Sequence, residues 1–140
     1  MPAQPTPPNP NELQNSFDQF VEAFNKGQFR SEGKLGLNDL VAEQAAFTHI
    51  HSDRYETNGL AYFDKILPGP QIRIVTRTVY GWSVYGTGTW TDPHREETDD
   101  LFFAFTYVEG RDGSPWIVAM SARIEQNAER AKTVNIYINT

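Results

Sequence analysis

The chain contains no cysteine, which excludes disulfide staples, thiolate metal sites and thiol nucleophiles together. Basic residues are few: 12 Lys and Arg against 18 Asp and Glu give a formal charge of −6. They are scattered singly, so there is no basic face for nucleic acid or an anionic membrane, and neither is an expected partner. No apolar run approaches the length of a membrane span. Five of the nine prolines fall in the first ten residues, with neither a basic leader nor an apolar stretch beside them. That is not the composition of a secretory signal, and the cytoplasm is the expected location. No Gly-rich phosphate loop, nucleophile elbow or paired Cys/His spacing is present, so no cofactor is expected.

What the chain does contain is enough apolar residue for one core. Its 140 residues, 39% hydrophobic and 13% aromatic, fit one domain of ordinary size. Residues 1–8 read as an extended, solvated Pro-rich tail and residues 9–140 as a single domain.

Asn9 and Glu12 have capping-box spacing around Pro10, and Leu13, Phe17, Phe20, Val21 and Phe24 follow on one helical face. With Lys26-Gly27 as the stop, a helix is expected over 10–26. A short second helix is expected over 37–43, a strand of period two over 46–53, and a third helix over 60–67. Antiparallel strands are then expected over 71–80, 83–91, 101–108 and 116–124. The acidic run 96–100 reads as a solvated loop, 127–132 as helical or irregular, and 134–138 as an edge strand. The fold class is α+β: a cone-shaped, curved antiparallel sheet of four to six strands with three N-terminal helices packed on its concave side, of the cystatin-like or α+β-barrel kind.

Three stretches carry a resemblance to a family. They are Phe20-Val21-Glu22-Ala23-Phe24-Asn25-Lys26-Gly27, Gly59-Leu60-Ala61-Tyr62-Phe63, and Asp112-Gly113 followed by Trp116-Ile117-Val118-Ala119-Met120. In this order they resemble the nuclear transport factor 2-like superfamily, in its SnoaL-like and ketosteroid-isomerase-like branch. The resemblance implies an apolar pocket inside the cone. It also implies a mismatch with isomerase chemistry. The oxyanion-hole tyrosine falls at Phe20, the protonated aspartate near Phe103, and the general base around Ile50–His51, where no carboxylate is in register. An enolate needs donors aimed at its oxygen, so steroid isomerisation by that mechanism is rejected.

The sharpest chemical candidate is His49-x-His51-x-Asp53, which alternation places on one strand face with neighbours ~6.5–7 Å apart. Three readings stay open: ordinary hydrogen bonding at a pocket rim, acid–base work with His51 as the proton-transfer group, or metal binding. No metal centre is assigned, because no ligand from a second element stands out. The expected ligand-facing set is Phe20, Phe24, Tyr62, Trp90, Phe103, Phe105, Trp116 and Met120. In the strand over 116–124, period two groups Trp116 with Val118, Met120 and Ala122. The same aromatics could equally be plain core. Gly86 and Gly88 either make room in a pocket or allow sharp curvature. Arg73 and Arg77 are expected to face solvent or a subunit interface.

Two functions follow from different classes. One is a pocket that binds a small apolar or aromatic molecule, with isomerase, cyclase or hydratase-type acid–base chemistry. The other is a non-catalytic association module, as in the oligomerisation domain of calcium/calmodulin-dependent kinase or the small subunit of ring-hydroxylating dioxygenases, which resemble this scaffold. A homodimer through the open sheet face is expected, since Leu101–Val108 is apolar on both faces. The two functions separate on whether the cone is open and polar or filled by its own aromatics.

Overall fold

The computed structural model describes residues 8–49, 54–56, 58–93 and 97–125, the side chains of residues 49, 54–56 and 97 excepted. Residues 1–7 of the tail expected over 1–8, the segment 127–132 and the strand 134–138 lie outside the described residues, as do His51 and Asp53.

Helix α1 spans Pro10–Lys26, as its spacing predicts. Asn9 Oδ1 accepts from Asn11 N at 3.0 Å and from Glu12 N at 3.5 Å, so the first orphan amides are capped. Gly27 ends the helix in the left-handed region, at φ 65°. Along one face Leu13, Phe17, Phe20 and Phe24 are fully buried. Two further helices follow, α2 (Leu37–Leu40) and α3 (Gly59–Ile66).

The second helix is shorter than expected, and strand β1 (Val41–His49) begins at Val41 rather than at residue 46. Pairing decides this. Val41 sits opposite Ile117, and the ladder resumes at Ala46 opposite Ala119 after an irregularity. The long-range partner overrides the local helical pattern.

The other strands are β2 (Arg54–Glu56), β3 (Gln71–Tyr80), β4 (Ser83–Asp92), β5 (Glu97–Glu109) and β6 (Pro115–Glu125). They form one curved, unclosed sheet in the order β2-β1-β6-β5-β4-β3, with helices packed on it. Every neighbouring pair is antiparallel except β1 and β6, which run parallel. Strand β5 starts at Glu97, so most of the acidic run expected as a loop is strand. Thr98 pairs with Thr91, their hydroxyls 3.1 Å apart, and Asp99 pairs with Trp90.

Two bulges set which side chains enter the concave side. In β3 the register shifts between Ile74 and Thr76, which carries Arg77 to the α1 side, where it pairs with Asp18. Strict alternation puts Arg77 on the face away from α1; the extra residue reverses its face, and Arg77 stays exposed as expected. In β6, Ile117 pairs with Tyr107 and Ala119 with Thr106, leaving Val118 as the extra residue. Ile117, not Trp116, is therefore in line with Met120 and Ala122, and all three are buried.

Candidate functional site

The concave side of the sheet and the apolar face of α1 enclose one region made entirely of hydrocarbon. Its rings lock onto one another. Phe17 stacks on Phe103 with centroids 4.9 Å apart and planes within 16°. Phe20 meets Phe105 edge to face at 5.0 Å, and Phe24 meets Phe63 at 5.3 Å and 89°. Phe24 also contacts Trp90 at 5.7 Å. These are the offset and perpendicular arrangements that aromatic quadrupoles favour. What remains between them is a cavity of about 20 Å³. That is room for a single water, which would find no polar partner there.

Of the expected ligand-facing residues, Phe20, Phe24, Trp90, Phe103 and Phe105 line this cavity. Tyr62 and Met120 are buried beside it. Tyr62 stacks on Phe47 at 5.4 Å, and the Met120 methyl lies where a Cβ on Gly59 would be, so α3 seats closely on β1 and β6. Trp116 stands apart, with its indole against Gly110 in the β5–β6 loop. Phe17, Phe47 and Phe63 line the cavity as well. The spacing of Phe17 with Phe20 and Phe24 on one helical face was the signal for the first of these.

His49 closes β1 in register with Ala122 on β6 and Arg54 on β2. His51 and Asp53 lie outside the described residues, so the His49-x-His51-x-Asp53 grouping is not brought together on them. Among the described residues no group of three or more His, Asp or Glu could hold a metal ion, and no helix is long and apolar enough to cross a membrane.

The glycines of β4 have a definite role. A Cβ on Gly86 would overlap the Thr76 carbonyl, and one on Gly88 the Arg73 carbonyl. Both glycines admit the backbone of β3, bulged between them, rather than opening a pocket.

One polar pair lies at the edge of the hydrocarbon. Ser16 on α1 and Tyr107 on β5 are 6% and 1% exposed, and neither hydroxyl has a well-formed hydrogen bond. Burial raises the Tyr107 phenol above its ordinary range, and the nearby Ser16 hydroxyl offsets this only in part. A buried hydroxyl left in this state costs about 1–3 kcal/mol.

No protein-family model and no curated protein matches the sequence. Solved structures do resemble the fold. Nuclear transport factor 2 from Cryptosporidium parvum is 15% identical with a TM-score of 0.67, covering 88% of this chain and 100% of its own. An epoxide hydrolase of M. tuberculosis is 11% identical with a TM-score of 0.64, covering 84% and 86%. A provisionally assigned ketosteroid isomerase from Kribbella flavida is 13% identical with a TM-score of 0.63, covering 84% and 80%. At such identities the likeness speaks for architecture and not for chemistry. The cone-like sheet, the three helices on its concave side and these neighbours together give the chain the nuclear transport factor 2-like fold.

Proposed function

We propose that this chain is an association module that pairs with a second copy of itself through the outer face of its sheet. The observation that carries this reading is the filled cone: its wall is hydrocarbon throughout and its free space is about 20 Å³. A metabolite of even ten heavy atoms needs several times that volume, since ligand sites run to roughly 300–1,000 Å³. Among the described residues the opposite face of the sheet carries no helix. Tyr85, Ala104, Thr106, Val108 and Ala119 are exposed toward one end of it, and Arg73, Asp100, Arg123 and Glu125 stand toward the other. An uncovered patch of small and apolar side chains at one end of the face favours burial against a like surface.

Sedimentation velocity at micromolar concentration tests it. A dimer is expected, and Ala104→Arg, placed in the middle of that face, should convert it to a monomer with unchanged circular dichroism. A strict monomer in the native chain would overturn the reading.

The second reading keeps the interior as a site for a small apolar or aromatic molecule, with His51 as proton-transfer group oriented by His49 and Asp53. It is supported by the aromatic lining, and by neighbours of this fold whose names include an epoxide hydrolase and a hydroxylase. It requires the rings to part for the ligand. Native mass spectrometry on protein purified without chelator decides between the two: an extra small-molecule mass favours the pocket, a clean protein mass the module.

A further inference from the structure

Strand β3 is the last in the sheet order, so one side of it has no neighbouring strand among the described residues. The register tells which backbone groups face that side. Tyr80 and Ser83 close a two-residue turn and form a hydrogen-bonded pair. Val79 and Arg77 belong to the alternate pairs, so they turn amide and carbonyl to the open edge. Before the bulge Ile72 and Ile74 do the same. The side-chain amide of Asn25 takes up both groups of Ile72. Among the described residues nothing bonds the edge groups of Ile74, Arg77 and Val79.

Two further observations say what suits this edge. A groove of about 500 Å³ lies between it and α1, with Asp18 and Val21 on the helix side and Ile74, Val75 and Arg77 on the strand side. Val75 and Tyr80, 65% and 79% exposed, are the most exposed large apolar side chains among the described residues, and both are on β3. The charges lining the groove are Asp18, Arg73 and Arg77, so it is locally positive on a chain of formal charge −6. Arg77 is paired with Asp18, while Arg73 is exposed and has no ion pair among the described residues. A second copy docked edge to edge would set the arginines of the two β3 strands beside one another, and like charges on adjacent strands destabilise a sheet.

We propose that this edge takes an extended, acidic peptide of a partner protein as a further strand beside β3. The peptide backbone bonds the open groups of Arg77 and Val79, and its side chains alternate between the two faces. Those on the α1 side are apolar and lie in the groove against Val21 and Ile74. Those on the other side are carboxylates that meet Arg73. The edge is separate from the outer face through which two copies associate, so either reading can fail without the other.

The experiment is two-dimensional amide NMR of the full chain, titrated with a short capped peptide that alternates glutamate and valine. Its lysine–valine analogue tests the charge, and the glutamate–valine peptide with every amide N-methylated tests the added strand. Saturable shifts confined to Asp18–Val21 and Ile74–Tyr80 are expected, with slower exchange of the Arg77 and Val79 amides. The lysine analogue should bind more weakly and the N-methylated peptide not at all. Arg73→Glu, on an exposed side chain, should keep the fold and weaken binding about fivefold. Val79→Pro removes one edge amide and should also weaken it, proline being tolerated on edge strands. Ala104→Arg should bind the peptide as the native chain does. Absence of saturable shifts would overturn the proposal. So would equal binding of either control peptide, or shifts on the outer face in place of the β3 edge. Shifts of β3 amides on diluting the chain alone would assign the edge to a second copy and overturn it as well.

Discussion

Phe17 and Phe103 lie face to face across the cone, 4.9 Å between centroids, one from the first helix and one from the centre of the sheet. Phe103 is where the family resemblance puts an acid that donates to an oxyanion. Here that position is a ring stacked on another ring. The polar work of a pocket is replaced by packing at the point where it would be done.

Replacing Phe103 with alanine should therefore act as a core deletion, costing about 3–5 kcal/mol in urea unfolding. The space it opens is apolar, so benzene added to the variant should raise its melting temperature and leave the native chain unaffected. A loss below about 1 kcal/mol would show that the ring is not part of a closed core.

Asn25 holds the free edge of the sheet. Its Nδ2 donates to Ile72 O at 2.9 Å and its Oδ1 accepts from Ile72 N at 2.8 Å, as a neighbouring strand would. Gln71 Nε2 adds a bond of 2.7 Å to Asn25 O. Asn25→Ala should cost about 1–3 kcal/mol and speed amide exchange at Ile72. Asn25→Asp should do worse, because a carboxylate oxygen then faces the Ile72 carbonyl. Equal stability for both variants would sink the assignment.

Much of this fold is legible in the sequence, and the parts that are not share one cause. Helix α1 is readable end to end because its cap, its apolar stripe and its stop are all local. Strands β3, β4 and β6 are placed to within a residue or so because alternation and turn residues are local too. The errors lie where a distant partner decides. Val41 joins β1 because Ile117 is beside it, and Glu97 to Asp100 become strand because β4 supplies a partner row. The bulges at Val75 and Val118 cost more, since one extra residue turns a strand over. Trp116 leaves its expected face for that reason alone, and Arg77 changes face while staying exposed as expected. Among the site residues, those on α1 and β5 follow from period and fall together on the cavity. The buried pair of Ser16 and Tyr107 has no such signal, because it depends on α1 and β5 meeting.

Gly86 tests the account of the β3 bulge. Its Cβ would occupy the place of the Thr76 carbonyl oxygen, which is backbone and has no easy retreat. Gly86→Ala should destabilise by at least about 2 kcal/mol despite favouring an extended chain. The hydroxyls of Thr76 and Thr87, 2.7 Å apart in the native chain, should lose contact. Serving as control, Gly69→Ala meets only the Ile66 carbonyl at 3.0 Å and should cost less. Similar losses at both positions would remove the argument from close approach.

Tyr107 gives the chain a limit in alkali. Its phenol is raised by burial, so the folded state holds its proton above the unfolded value of roughly 10. Stability from this group is complete below that value and falls as pH climbs past it, because only the unfolded chain ionises readily. Tyr107→Phe should abolish this alkaline slope. At neutral pH it should change stability by less than about 0.5 kcal/mol, or raise it, since the hydroxyl it deletes is buried without a well-formed bond. Urea unfolding of both proteins from pH 7 upward makes the comparison. A neutral-pH loss above about 1.5 kcal/mol in the variant would mean that the Tyr107 hydroxyl is satisfied in solution. In that case Ser16 is its natural partner.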